Sequence, residues 1–168
     1  RYRSATGKLQ FMGGDRLDIK YGVKHLSHSL ASPTRYDERA VTHLMKYLSG
    51  TRSDYLILKL NKGMISRILA GHFFIDQFSD SDWAGDKKTR KSTSSLFANF
   101  AGCNMFDGAA SQSVVATSSG EAEWYSAVSG ASQMIHLRRV MSFAFGKEIK
   151  LRLWTDSTVC KSIGKRQG

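Results

Sequence analysis

HFFIDQFSDSDWAGD, residues 72–86, joins an aromatic and β-branched run to a knot of acids and a glycine. Phe and Ile suit a pleated, half-buried surface, so 72–80 reads as a strand. It ends where Asp80, Asp82 and Gly85 break it. Two further β segments are expected at 94–100 and 104–110, linked around Gly102 as a hairpin. A long helix should run over 121–145 and stop before Gly146. A strand at 149–155 and a short helix after Asp156 complete the order β, β, β, α, β, α. That order describes an α/β fold, a mixed sheet with helices packed on it.

Before residue 71 the chain reads as mainly helical. Leu17, Ile19, Val23, Leu26 and Leu30 recur at roughly helical spacing until Ser32-Pro33-Thr34 interrupts them, because proline disfavours helix in the residue before it. A second helix is expected over 35–49, with a stripe of Tyr36, Ala40, Leu44, Tyr47 and Leu48 and with Gly50 as its stop. YLILKL, 55–60, reads as a strand.

With 168 residues, 41% of them hydrophobic, the chain can build one full core and a smaller neighbour. Residues 1–70 hold 13 Lys and Arg against 5 Asp and Glu, whereas 71–168 hold 12 against 9. The formal charge of +11 favours a polyanionic partner through counterion release, although a basic surface is also a common route to solubility. Cys103 and Cys160 are too few and too far apart for a zinc cluster and are expected to stay reduced. No run approaches the roughly 18 apolar residues of a membrane span, so no membrane partner is expected. Without an initiator Met, the chain reads as a soluble piece of something longer.

Three acids stand where a metal-dependent nuclease would need them. Asp80 and Asp156 each follow a strand, and in open α/β sheets ligands gather beyond the strands' carboxyl ends. Strand-end aspartates are also ordinary turn formers when they occur singly. Between them, Ser118 and Glu121 form a capping box that gives Glu121 a structural task. Glu123, about 200° further round the helix, is therefore the acid left to face the sheet. Three hard oxygen ligands suit Mg²⁺ or Mn²⁺, and no His or Cys spacing nearby suits zinc. Asp82 shares the parity of Asp80 but falls where the chain is turning, and Asp86 is expected to close that turn with Gly85. Lys87, Lys88, Arg90 and Lys91, with hydroxyls at Thr89, Ser92 and Thr93, are of the kind that contacts nucleic-acid phosphates, or form a solvated basic turn. Trp83 and Trp124 flank the acidic motifs; either could stack on a base or sugar, but an aromatic next to a strand end more often belongs to the core. There is no phosphate-cradling glycine loop, and no His stands beside Ser118 or Ser119 to activate a nucleophile.

SDSDWAGDKKTRKSTSS at 79–95, SQSVVATSSGEAEWYSAVSGA at 111–131 with LRRVM after it, and LWTDSTVCKSI at 153–163 occur in this order. Together they resemble the ribonuclease H domain of copia-type LTR retrotransposon Pol polyproteins. Residues 2–51 are similar to the end of the reverse transcriptase in the same polyproteins. The resemblance implies a reverse-transcriptase tail over 1–70 and a ribonuclease H-like domain over 71–168, C-terminally truncated. It also implies an enzyme, a hybrid-specific endonuclease that hydrolyses the RNA strand of RNA–DNA hybrids with two Mg²⁺ ions. The catalytic and metal-binding acids would be Asp80, Glu123 and Asp156. Lys87, Lys88, Arg90, Lys91, Ser118 and Ser119 would hold nucleic acid, and the partners would be the hybrid and the rest of the Pol polyprotein. Two departures stand out: AGCNMFDGAAS, 101–111, replaces a GG..ISWSSK pattern, and no KHID-like segment supplies a fourth acid, which weakens binding of a second ion. The alternative reading is a catalytically inactive nucleic-acid-binding remnant. Another metal nuclease or integrase of the same fold is a third.

Overall fold

The computed structural model describes residues 1–59 and 61–166, and the chain forms two compact units, Arg1–Ile57 and Leu58–Gly168. The first is helical: α1 (Tyr2–Met12), a 3₁₀ turn (Leu17–Ile19), α2 (Lys20–Ser27) and α3 (Arg35–Gly50). Tyr2, Leu9, Ile19, Val23, Leu26 and Val41 form its core. Thr34, just after the proline, caps α3 reciprocally with Asp37, so the chain break expected there starts the next helix. The buried stripe of α3 differs from the expected one. Asp37 and Val41 are buried and Leu44 and Leu48 pack behind them, whereas Tyr36 and Tyr47 are exposed. Tyr47 instead donates its hydroxyl to Asp18, at 2.8 Å.

The expected strand at 55–60 does not form over residues 55–59, and Leu60 lies outside the described residues. Tyr55, Leu56, Ile57 and Leu58 are exposed, and no neighbouring strand pairs with them. A continuous apolar run suits a strand only where both of its faces are covered, and here the run is exposed and spans the change from one unit to the next. Beyond it lies α4 (Lys62–Leu69), for which the sequence reading has no element. Asn61 caps α4 by accepting from Gly63 N, at 2.9 Å.

The second unit contains β1 (Phe74–Asp82), β2 (Thr93–Phe100), β3 (Cys103–Ser111), α5 (Ser119–Phe145), β4 (Lys150–Trp154) and α6 (Thr158–Gly164). The sheet order is β3-β2-β1-β4, antiparallel except for the parallel pair β1/β4. This is the expected mixed α/β, ribonuclease H-like arrangement. Ala101 and Gly102, at φ 56° and 92°, turn the β2–β3 hairpin, a conformation that glycine adopts freely. Gly146, at φ 60°, ends α5.

Strand alternation sends Ile75, Gln77 and Ser79 toward α5, together with Leu96, Ala98 and Phe100 of β2. Ile75, Ala98, Phe100, Met134, Met141 and Ile149 make the core between sheet and helix. At Gly130 the helix approaches so closely that a Cβ would run into the Gln77 amide and come within 2.8 Å of Leu96. The parallel register sets Phe78 opposite Trp154. Asp80 and Asp156 each lie two residues further on, so they reach the same end of the sheet, where α5 begins.

Candidate metal centre

Asp80 is carried at the exposed end of β1, and its backbone is fastened to α5 where Ser126 Oγ donates to the Asp80 carbonyl at 2.9 Å. Glu123 projects from the first turns of α5. Its Oε1 accepts from Ser81 N at 3.0 Å and from Ser81 Oγ at 3.1 Å. Ser81 N also reaches Asp80 Oδ1 at 2.8 Å, so one serine orients two of the acids. Asp156 leaves β4 just before Ser157, whose hydroxyl caps α6 by accepting from Cys160 N.

One ligand oxygen from each of Asp80, Glu123 and Asp156 lies within 4.8 Å of the other two. Two of these side chains are exposed and Glu123 is half-buried. Among the described residues no Lys or Arg pairs with any of them, and Glu123 Oε2 is buried without a hydrogen-bond partner. Burial pushes the Glu123 carboxyl up, and the charges of Asp80 and Asp156 push it the same way against the Ser81 hydrogen bonds. A buried carboxylate oxygen without a donor, facing two further carboxylates, is a poor arrangement unless a cation joins it. The three side chains could hold a metal ion, and the all-oxygen donor set fits a hard divalent one.

The helix start that aims Glu123 is built differently from a simple capping box. Ser118 Oγ accepts from Glu121 N at 3.1 Å, as expected, but the Glu121 carboxylate reaches one residue further back, accepting from Thr117 N at 2.7 Å and Thr117 Oγ1 at 2.6 Å. These hydrogen bonds hold the Glu121 carboxyl below its usual range. Buried Gln112 adds a tie absent from the sequence reading. Its amide nitrogen donates to Ala122 O at 2.8 Å and Ser94 Oγ at 3.1 Å, joining α5 to β2 beside Glu123. Ser81 and Ser126 were also missed as supports. All three lie within the runs quoted from the sequence, but a serine or glutamine inside such a run does not show which segment it will meet.

Asp82 stands apart from the three acids. It turns toward β2, where it accepts from Thr93 N and crowds Gly85. Asp86 closes the turn as expected, accepting from Lys88 N at 2.9 Å and Thr89 Oγ1 at 2.6 Å. Lys87, Lys88 and Arg90 are exposed on this β1–β2 connection, and Lys91 is half-buried. Ser118 and Ser119 are exposed at the start of α5. Trp83 is not a core residue: it is 52% exposed, although its indole N–H donates to Ala116 O at 3.2 Å. Trp124 is half-buried and lines an apolar cleft of about 490 Å³ with Val128, Leu153, Trp154 and Lys161. Cys103 and Cys160 are unpaired, and Cys160 is buried. Among the described residues no helix is long and apolar enough to cross a membrane.

A ribonuclease H-like α/β unit that gathers three acids at one end of its sheet, preceded by a helical unit, defines the class. The chain is 30% identical over 164 residues to the retrovirus-related Pol polyprotein from transposon RE1 of Arabidopsis thaliana, covering 97% of this chain and 10% of that protein. It is 33% identical over 141 residues to the corresponding polyprotein from transposon TNT 1-94 of Nicotiana tabacum, covering 83% and 10%. An uncharacterized mitochondrial protein of Arabidopsis thaliana, AtMg00810, is 33% identical over 124 residues, covering 73% of this chain and 48% of its own length. No family model and no solved structure matches the chain. The chain belongs to the Pol polyproteins of copia-type transposons, and it spans about a tenth of the length of each of the polyproteins named above.

Proposed function

We propose that the second unit is the ribonuclease H of a copia-type Pol polyprotein and that the first is the end of its reverse transcriptase. The substrate is an RNA–DNA hybrid, and the reaction is hydrolysis of a phosphodiester in the RNA strand. The observation that carries this reading is the convergence of Asp80, Glu123 and Asp156, drawn from three separate segments, to within 4.8 Å. These carboxylates would hold Mg²⁺, which when bound supplies an activated water and neutralises charge on the leaving 3′ oxygen.

The chain's own groups then have definable tasks. Ser81 fixes the Glu123 oxygen that it donates to, and leaves the other carboxylate oxygen free to bind. Ser126 pins the end of β1, so Asp80 cannot drift from Glu123. Lys87, Lys88, Arg90 and Lys91 would take up backbone phosphates, with Ser118 and Ser119 as hydroxyl donors at the helix start. Such positioning supplies most of the catalysis in phosphoryl transfer.

The test compares cleavage of a labelled RNA–DNA hybrid, duplex DNA and duplex RNA, each with Mg²⁺ and with EDTA. The expected result is Mg²⁺-dependent cleavage of the RNA in the hybrid alone, reduced at least about a hundredfold by Asp80→Asn. Cleavage that survives Asp80→Asn rejects the site. Hybrid binding without any hydrolysis favours an inactive nucleic-acid-binding remnant.

A further inference from the structure

Trp83 is a large aromatic residue held rigidly at the surface. It follows the end of β1, three residues after Asp80. Each neighbour is fixed: Asp82 accepts from Thr93 N, and Ala84 N donates to Ser92 Oγ at 3.0 Å. Ala84 is buried and adopts φ 53°, a left-handed conformation uncommon outside glycine, so the backbone is held there against its preference. The indole N–H is tied to Ala116 O on the segment that leads into α5. One ring thus bridges the two segments that deliver Asp80 and Glu123, yet half its surface faces water. The connection that follows carries the exposed cations Lys87, Lys88 and Arg90. A fixed, half-exposed aromatic that follows a carboxylate of the metal centre and precedes exposed cations along the chain has the makings of a nucleic-acid contact, because every base offers a π-face and every nucleotide a phosphate.

We propose that Trp83 is a positioning residue for nucleic acid, packing its exposed indole face on a base or sugar of a strand whose phosphates run past Lys87, Lys88 and Arg90. This rests on the nucleic-acid reading of the metal centre and adds the residue that sets the strand's register there. Truncating the ring weakens binding without removing charge.

The experiment uses the full chain and an RNA–DNA hybrid. Hybrid affinity is measured by anisotropy at several salt concentrations in Mg²⁺, on an Asp156→Asn background that blocks hydrolysis. For Trp83→Ala the dissociation constant rises about tenfold, with Trp83→Phe between it and the parent. The salt slope stays unchanged, since no cation has been lost. With Trp124→Phe and Trp154→Phe making Trp83 the sole tryptophan, hybrid binding quenches its fluorescence, a signal that a purely structural role would not give. In cleavage kinetics on the hydrolytically competent chain, Trp83→Ala raises KM and leaves kcat within about twofold. Parental affinity in Trp83→Ala, or an unquenched Trp83 on saturation with hybrid, overturns the proposal even where hybrids are cleaved normally. Trp83-dependent binding without cleavage sustains it while the nuclease reading falls, and a chain that binds no hybrid overturns both. If Trp83→Ala fails to fold, Trp83→Phe and the quenching measurement decide the matter.

Discussion

Asp76 and Asp80 leave the same face of β1 four residues apart, yet their surroundings diverge. Asp76 accepts Arg152 Nε and Nη2, both at 2.7 Å, and Trp154 Nε1 at 2.8 Å, so its charge is matched within the sheet. Burial pushes its carboxyl up, but the hydrogen bonds from Arg152 and Trp154 and the guanidinium charge prevail, and the net shift is downward. Among the described residues no cation pairs with Asp80. The difference was half legible: an acid at a strand end is visible in the chain, whereas the partner of Asp76 lies 76 residues away. A lowered carboxyl means that the unfolded chain takes up its proton first, so this contribution is full above about pH 4 and is lost as pH falls below it. Asp76→Asn should therefore lose about 1–3 kcal/mol at pH 7, between the values for exposed and buried pairs, since Arg152 is partly exposed. Urea unfolding at pH 7 and at pH 3 checks this. The gap between the proteins should narrow at pH 3, and a gap independent of pH would show that the carboxylate charge is not what stabilises.

At the scale of elements, α5 does two jobs with one surface: it closes the core and aims Glu123. Its ends were legible because capping chemistry is local, with Ser118 at one end and Gly146 at the other. Its close approach to β1 was not, since nothing in a helical run shows which glycine meets another element. Gly130→Ala should destabilise the protein by about 1–3 kcal/mol, because the new methyl meets Gln77 and Leu96. Gly7→Ala in α1 meets nothing within 4 Å and should stabilise by up to about 1 kcal/mol through helix propensity. Chemical denaturation of the two variants tests the contrast. Equal stability for Gly130→Ala and the parent would mean that helix and sheet are not packed as described. The strand expected at 55–60 does not form over 55–59 for the converse reason: apolar composition is local, but strand formation needs a partner, and no strand pairs with these residues.

Across the whole molecule, each unit has its own core, and the charge excess lies mostly in the first 70 residues. The order of elements along the second unit and the three converging acids were legible because strand-end positions and one helix start could be read from composition and caps, whereas the strand order within the sheet, β3-β2-β1-β4, was not. The supports at Ser81, Gln112 and Ser126 were not, because they depend on how three segments meet. If those segments meet around a metal ion, the ion's affinity must depend on each of them at once. Calorimetric titration of Mg²⁺ and Mn²⁺ into the parent chain and into Asp80→Asn, Glu123→Gln and Asp156→Asn puts this to the proof. Saturable binding in the parent that falls at least about tenfold in every variant is the expected result. No binding in the parent, or equal binding in all four proteins, would contradict a shared metal centre.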